Sequence, residues 1–191
     1  RRLGYETLLL TEETGDEQLR SIIDTGMVDG VALMDVTMND PRIELAQLSS
    51  IPLISIGHPM NEINVPCIDT DFIEMGEMIM QTLCRNGHSR ILFAGGKEID
   101  YERNGGANYL IRLRTSMHDA AARYKIHIDE EFTDEDDFDA AENLLERFIS
   151  SENTAIVTQG GPLFLNNLVA ATRQRGMKIP QDLSLISAGT Y

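Results

Sequence analysis

The side chains able to do chemistry in this 191-residue chain are few and scattered. His58, His88, His118 and His127 stand at spacings that make no metal-ligand set. No serine sits in the Gly-x-Ser-x-Gly turn of a nucleophile elbow. The acidic run Glu130, Glu131, Asp134, Glu135, Asp136, Asp137 and Asp139 lacks the alternating ligands and central glycine of a calcium loop. It reads instead as a solvated loop whose acids favour the amino end of the following helix. Gly95-Gly96-Lys97 follows an apolar run, but its spacing fits neither common phosphate-loop pattern; it reads as a tight turn, and Asn104-Gly105-Gly106 as loop. These residues predict no catalytic constellation, no metal centre and no cofactor, hence a protein that is not an enzyme.

What remains is recognition chemistry. Arg112, Arg114, Arg123 and Lys125 cluster in a chain that is otherwise acidic. The planar guanidinium fork suits carboxylates, phosphates and sugar hydroxyls, while the competing reading pairs these cations with nearby acids on an exposed helix face. Asn108 and Arg112 are four residues apart and share a helix face, a pair able to read a polar ligand. His58 directly follows an apolar strand-like run, which makes it a candidate for a cleft. His88, after Gly87 at a helix end, reads as structural, because a cation there suits the helix dipole.

These residues need elements to position them. Tyr5–Leu10 reads as a strand, and Thr14 with Glu17 as a capping box for a helix carrying Leu19, Ile22 and Ile23 and stopped at Gly26. Val28–Met34 reads as a strand; Asp40-Pro41 opens a helix as N-cap and first residue. Strands follow within 52–57 and 64–68. Asp71 and Glu74 cap a helix with apolar Met75, Met78, Ile79 and Leu83 at helical spacing, ended by Asn86-Gly87. Then come a strand over 90–94, a helix within Asn108–Tyr124, a strand near Ile126–Ile128, a helix marked by Phe138, Ala141, Leu145 and Phe148, a strand over 154–158, a helix over 162–175 and a strand over 183–187. Eight apolar strands alternating with helices predict an α/β protein with parallel sheets flanked by helices on both faces. Ligands in such folds bind beyond the carboxyl ends of strands. That directs attention to Gly57-His58, Asp69–Asp71, Gly95-Gly96, Gln159–Gly161 and Ala188–Thr190. Asp69-Thr70-Asp71 reads as a passage between two lobes, residues 1–70 and 71–191.

A net charge of −15 repels phosphate backbones, so these residues alone are not expected to bind DNA. Cys67 and Cys84 cannot form a disulfide framework and read as small buried apolar side chains, as in a reducing, cytoplasmic compartment. No apolar run approaches the ~18–20 residues needed to span a bilayer, so no membrane partner is expected.

Short segments in order along the chain resemble the LacI/GalR repressor family. They are Leu3-Gly4-Tyr5, Val28-Asp29-Gly30-Val31, Ile51-Pro52-Leu53-Ile54, Asp71 with Gly76 five residues on, Gly87-His88-Ser89-Arg90-Ile91, and Gly176-Met177-Lys178-Ile179-Pro180-Gln181-Asp182-Leu183-Ser184-Leu185-Ile186. Ile-Pro-x-Asp-Leu-Ser-Leu-Ile is the most specific, and together they cover nearly the whole chain. The resemblance implies a two-lobed fold like that of periplasmic binding proteins around an effector cleft. It also implies a homodimer that binds operator DNA through an N-terminal helix-turn-helix upstream of Arg1. On that reading the first lobe's first strand and helix are missing, as are the last crossovers beyond Tyr191.

The resemblance carries over Asp71 and one helix arginine, Arg112 or Arg114, as effector contacts. Departures from the family pattern place Gly57, Gly160-Gly161 and Gly189 where the family has acids or Asn-Asp. Fewer hydroxyl-gripping acids, with glycine backbone in their place, suggest a bulkier or anionic sugar derivative such as a phosphorylated sugar. The effector residues expected are therefore His58, Asp71, Asn108, Arg112, Arg114, Gly160 and Gly189. A solute-binding protein serving a sugar transporter is the alternative, and an α/β enzyme a third.

Overall fold

The computed structural model describes residues 4–11, 15–59, 65–102 and 106–189; Thr14, Asn64, Asn104, Gly105 and Thr190 lie outside these. The chain divides into two compact units, residues 1–70 and 71–191.

In the first unit α1 spans Gly15–Thr25, β1 Val31–Leu33, α2 Pro41–Leu48, β2 Leu53–Ile56 and β3 Cys67–Ile68. The three strands form a parallel sheet in the order β1-β2-β3, with Val31 opposite Leu53 and Ser55 opposite Cys67. Leu19, Leu33, Val36 and Ile43 make its core. Gly26 takes φ +60° beyond α1, a conformation open to glycine and strained for other residues. Asp40 caps α2, its carboxylate accepting from Arg42 N at 3.0 Å, and Pro41 fills the first helical position, where no amide is needed.

The second unit contains α3 (Phe72–Arg85), β4 (Arg90–Gly95), a short 3-10 helix (Glu98–Tyr101), α4 (Asn108–Tyr124), β5 (His127–Phe132), α5 (Phe138–Ile149), β6 (Ala155–Thr158), α6 (Pro162–Gln174) and β7 (Ser184–Ser187). Its parallel sheet has the order β5-β4-β6-β7, with Phe93 opposite Val157 and Val157 opposite Ile186. Side chains alternate across a strand, and here both faces are covered. Ile91, Phe93, Ala155 and Val157 pack with Met80, Leu83, Leu113 and Met117 of α3 and α4. Leu92, Ala94 and Ile156 pack with Leu144, Leu145, Phe148, Phe164 and Leu168 of α5 and α6. Two-sided burial is why these strands read as continuous apolar runs. The α/β architecture of parallel sheets flanked by helices is therefore the one expected.

Four expectations need correction. Tyr5–Leu10 is not a strand: it pairs with no other segment among the described residues, and Tyr5 and Leu9 are 70% and 74% exposed. The described chain therefore has seven strands, not eight, because apolar β-formers become a strand only where a neighbour supplies the ladder. Cys67 is exposed on the two-residue strand β3, which lies at the sheet edge; Cys84 is half-buried and packs on the core. The acidic run does not begin as loop. Glu130 and Glu131 belong to β5, which runs past the expected 126–128 to Phe132, and they stand in register with Phe93 and Ala94. Edge strands accept charge, and here the two acids meet Arg114 and Arg147 at 2.6 Å each. Finally, Met78 is exposed, so the buried stripe of α3 runs through Phe72, Gly76, Ile79, Met80 and Leu83 instead.

Candidate functional site

The carboxyl end of the second sheet is built around a ring cluster. Tyr101, delivered by the 3-10 helix after β4, packs edge-on against Phe93 at 6.0 Å and tilted against Phe132 at 5.1 Å. Gly95 permits this approach: a Cβ there would stand 2.7 Å from the Phe132 ring and 3.0 Å from the Tyr101 hydroxyl. The hydroxyl donates to Gln159 Oε1 at 2.9 Å, joining the exits of β4 and β6. Burial pushes the Tyr101 phenol well above its usual range, although the Gly96 amide and the Arg114 guanidinium favour the ionised form.

α4 begins at this end with Asn108, which is buried. Arg112 Nε donates to Asn108 Oδ1 at 2.7 Å, so the two residues do meet on one face, as their spacing predicts. Arg114 lies a turn-half further round. Its guanidinium is 5.5 Å from the Phe132 ring centre and grips Glu130 through two bonds of 2.7 and 2.6 Å. His118 adds a third contact to Glu130 at 2.8 Å. Arg123 pairs with Glu77, whose second oxygen accepts from Tyr124. Pairing with nearby acids thus describes Arg114 and Arg123.

Burial opposes ionisation of Glu130, but the bonds from Arg114 and His118 outweigh it and hold the carboxyl at about 2, below the ordinary 4.5. A carboxylate whose pKa is lowered on folding adds stability above its unfolded pKa and loses it as pH falls through the folded value. Glu130→Gln is therefore expected to cost about 1–2 kcal/mol at pH 6.5, after allowance for solvent screening. The gap should shrink between about pH 4.5 and 2. Urea unfolding at both ends of that window measures it, and a gap that does not change with pH would show that the ion pair contributes nothing.

Gly160 and Gly161 follow β6. The space beside Gly160 is already filled, since a Cβ there would meet the Phe164 ring at 2.5 Å, whereas nothing lies within 4 Å of one at Gly161. The Gly160 amide donates to Thr158 Oγ1 at 2.9 Å. Gly189 follows Ala188, whose amide bonds Thr158 O at 2.8 Å. Asp71 caps α3, accepting from Glu74 N at 2.9 Å, and is exposed.

In the first unit Gly57 leaves β2 with φ +121°, and its amide bonds Ile68 O at 2.9 Å. The exposed His58 follows. Its backbone amide donates to Asp69 Oδ2 at 2.9 Å, and its Nδ1 donates to Pro59 O at 2.8 Å. The exit of β1 holds a clasp that residue spacing did not reveal. Arg42 donates to both oxygens of Asp40 and to the carbonyls of Met34 and Asp35 at 3.1 and 2.9 Å.

Elsewhere on the second unit, Val169, Thr172, Arg173, Met177, Lys178 and Leu185 line an open groove of about 510 Å³. It lies at the carboxyl end of α6, away from the carboxyl ends of the strands. His88 is held by a side-chain contact, its Nδ1 2.7 Å from Thr154 Oγ1, but burial pushes its imidazole down and favours the neutral ring, so the helix-end cation expected from the sequence is not what fixes it. Among the described residues no group of His, Cys, Asp and Glu could hold a metal, and no helix is long and apolar enough to cross a membrane.

The family model of periplasmic binding proteins and sugar binding domains of the LacI family matches residues 1–189. The chain belongs to this family. Among curated proteins, this LacI-family chain is 29% identical over 189 residues to the HTH-type transcriptional regulator AglR of Rhizobium meliloti (strain 1021), a match covering 92% of the chain and 48% of that regulator. It is 22% identical over 162 residues to catabolite control protein A of Staphylococcus xylosus, covering 84% of the chain and 47% of that protein. The LacI-family chain thus spans about half the length of the curated relatives it matches. Among solved structures, a LacI family transcriptional regulator from Bifidobacterium animalis subsp. lactis DSM 10140 superposes with a TM-score of 0.79 at 22% identity, covering 95% of the chain and 65% of that one. A regulatory protein of the LacI family from Chloroflexus aggregans gives 0.75 at 21% identity, covering 97% and 66%. At those identities the likeness is one of fold.

Proposed function

We propose that this LacI-family chain is the effector-binding and dimerisation core of a transcriptional regulator, in which a sugar or sugar derivative controls binding of operator DNA by an N-terminal helix-turn-helix. The family match over residues 1–189 carries the reading, and the curated relatives are regulators. In this reading the two units are the two lobes of the core, and the protein is cytoplasmic, homodimeric and not an enzyme. The effector contacts are Asn108, Arg112, Arg114, Gly160 and Gly189 at the strand ends of the second unit, with Asp71 at its start and His58 in the first. Sequencing the gene upstream of Arg1 tests the class directly. A basic helix-turn-helix supports the regulator. A secretion signal would replace it with a solute-binding protein of a sugar transporter.

The ligand class follows from the cations. Arg112 stands on α4 beside Asn108, and the positions given by resemblance to acids are glycines, so a sugar phosphate fits better than a neutral sugar. Calorimetry with glucose 6-phosphate and glucose is expected to favour the phosphate. Arg112→Ala is expected to weaken its binding about tenfold. Arg114→Ala should act first on stability, because Glu130 occupies its guanidinium. Tighter binding of glucose than of its phosphate would overturn the anionic assignment.

A further inference from the structure

Tyr101 is 5% exposed, so its hydroxyl proton requires a protein acceptor. Gln159 Oε1 at 2.9 Å supplies it. An acceptor oxygen there gives the hydroxyl proton its partner, whereas an NH2 would leave that proton buried and unpaired. The Gln159 amide is therefore held with its oxygen toward Tyr101. Its Nε2 keeps two N–H donors that meet no acceptor among the described residues, at a half-buried position immediately after β6.

The support for Gln159 is rigid. Its backbone amide bonds Ala94 O at 3.0 Å. Tyr101 is fixed by Phe93 and Phe132, and the next residue, Gly160, is pinned by Thr158 Oγ1 and crowded by the Phe164 ring. A donor held this way selects ligands by the atom they present, since a hydroxyl or phosphate oxygen accepts from it and an ammonium or N–H group cannot.

We propose that Gln159 is a specificity-determining residue of the strand-end site, buttressed by Tyr101 so that Nε2 donates to an acceptor oxygen of the bound carbohydrate. This rests on the effector-core reading and adds to it a residue and a polarity. Gln159→Glu is the decisive variant, because it keeps an oxygen for Tyr101 and replaces the outward donor by a second acceptor. Binding of glucose, maltose, cellobiose and glucose 6-phosphate would be measured by calorimetry on the parent, Gln159→Glu and Tyr101→Phe.

The expected result is that Gln159→Glu binds the tightest of these probes at least about tenfold more weakly than the parent, with a melting temperature within about 2 °C of it. Tyr101→Phe, which frees the amide to rotate, should give a smaller loss. Unchanged affinity in Gln159→Glu overturns the proposal. If the parent binds none of the four probes, the sugar reading fails by itself. The amide orientation is then decided by nuclear Overhauser contacts from the Gln159 side-chain protons in the free protein. Contacts from both Nε2 protons to the Tyr101 ring edge would overturn the proposal; their absence, with the pair shifted in Tyr101→Phe, supports it.

Discussion

Gly76→Leu is expected to destabilise the second unit by about 3 kcal/mol or more, because Gly76 is buried where α3 meets α4. A Cβ at Gly76 would stand 2.7 Å from Ser116 Oγ, 2.8 Å from Ser116 Cβ and 3.0 Å from the Met117 backbone nitrogen. Ser116 cannot swing away cheaply, because its hydroxyl donates to Ile73 O at 2.6 Å, tying α4 to the first turn of α3. Room for a leucine comes from separating the two helices, which strips Leu113 and Met117 from Met80 and Leu83. Leucine gains about 1 kcal/mol of helix propensity over glycine, and the packing loss exceeds it. Gly76→Ala should cost about 1–2 kcal/mol by the same balance. Denaturant unfolding measures both. Pairing Gly76→Ala with Ser116→Gly should recover part of the loss, since the two changes share one contact. Strictly additive costs would show that the helices do not meet there.

Asp40→Ala is expected to cost the first unit about 2–4 kcal/mol. The Asp40 carboxylate is 2% exposed and pairs with Arg42, itself 23% exposed, at 2.5 Å. It accepts from the amides of Arg42 and Thr37 at 3.0 and 3.3 Å, so one side chain both caps α2 and closes the β1 exit. Its hydrogen bond raises the Arg42 pKa further, against the burial that lowers it, and removal leaves a half-enclosed guanidinium without its counter-charge. Asp40→Asn, which keeps a capping oxygen but not the charge, should lose about half as much. Amide exchange over α2 and β1 locates the effect, and unaltered protection of the α2 amides in Asp40→Ala would remove the clasp from the account.

The elements most legible in the sequence are those with local signals. Asp40-Pro41 marks the start of α2 and Asp71 with Glu74 that of α3 through chemistry confined to one turn. The helix expected within Asn108–Tyr124 fills that whole span. Its end is less obvious, because Lys125, not glycine, takes the left-handed turn at φ 57°. Tyr5–Leu10 has the composition of a strand, yet pairing is a property of two segments and no propensity supplies the second. The Asn108–Arg112 contact was readable because four residues in a helix are a fixed distance. Tyr101 and Gln159 are 58 residues apart, and only the order β5-β4-β6-β7 makes them neighbours. Nothing in the run Glu130-Glu131 announces an edge strand either; the paired arginines that make the acids acceptable there come from two different helices.

Because the second sheet is covered on both faces, adjacent residues of one strand answer to different helices. Phe93 belongs with α3 and α4, and Ala94, one peptide bond away, with α5 and α6. Odd and even positions of β4 are in effect two separate channels. A change at Phe93 is felt beside Tyr101, whose ring it touches, while one at Leu92 is felt beside Leu145 and Leu168. Sequence variation in this strand should therefore be read by parity: substitutions two apart compensate one another, and substitutions side by side accumulate independently.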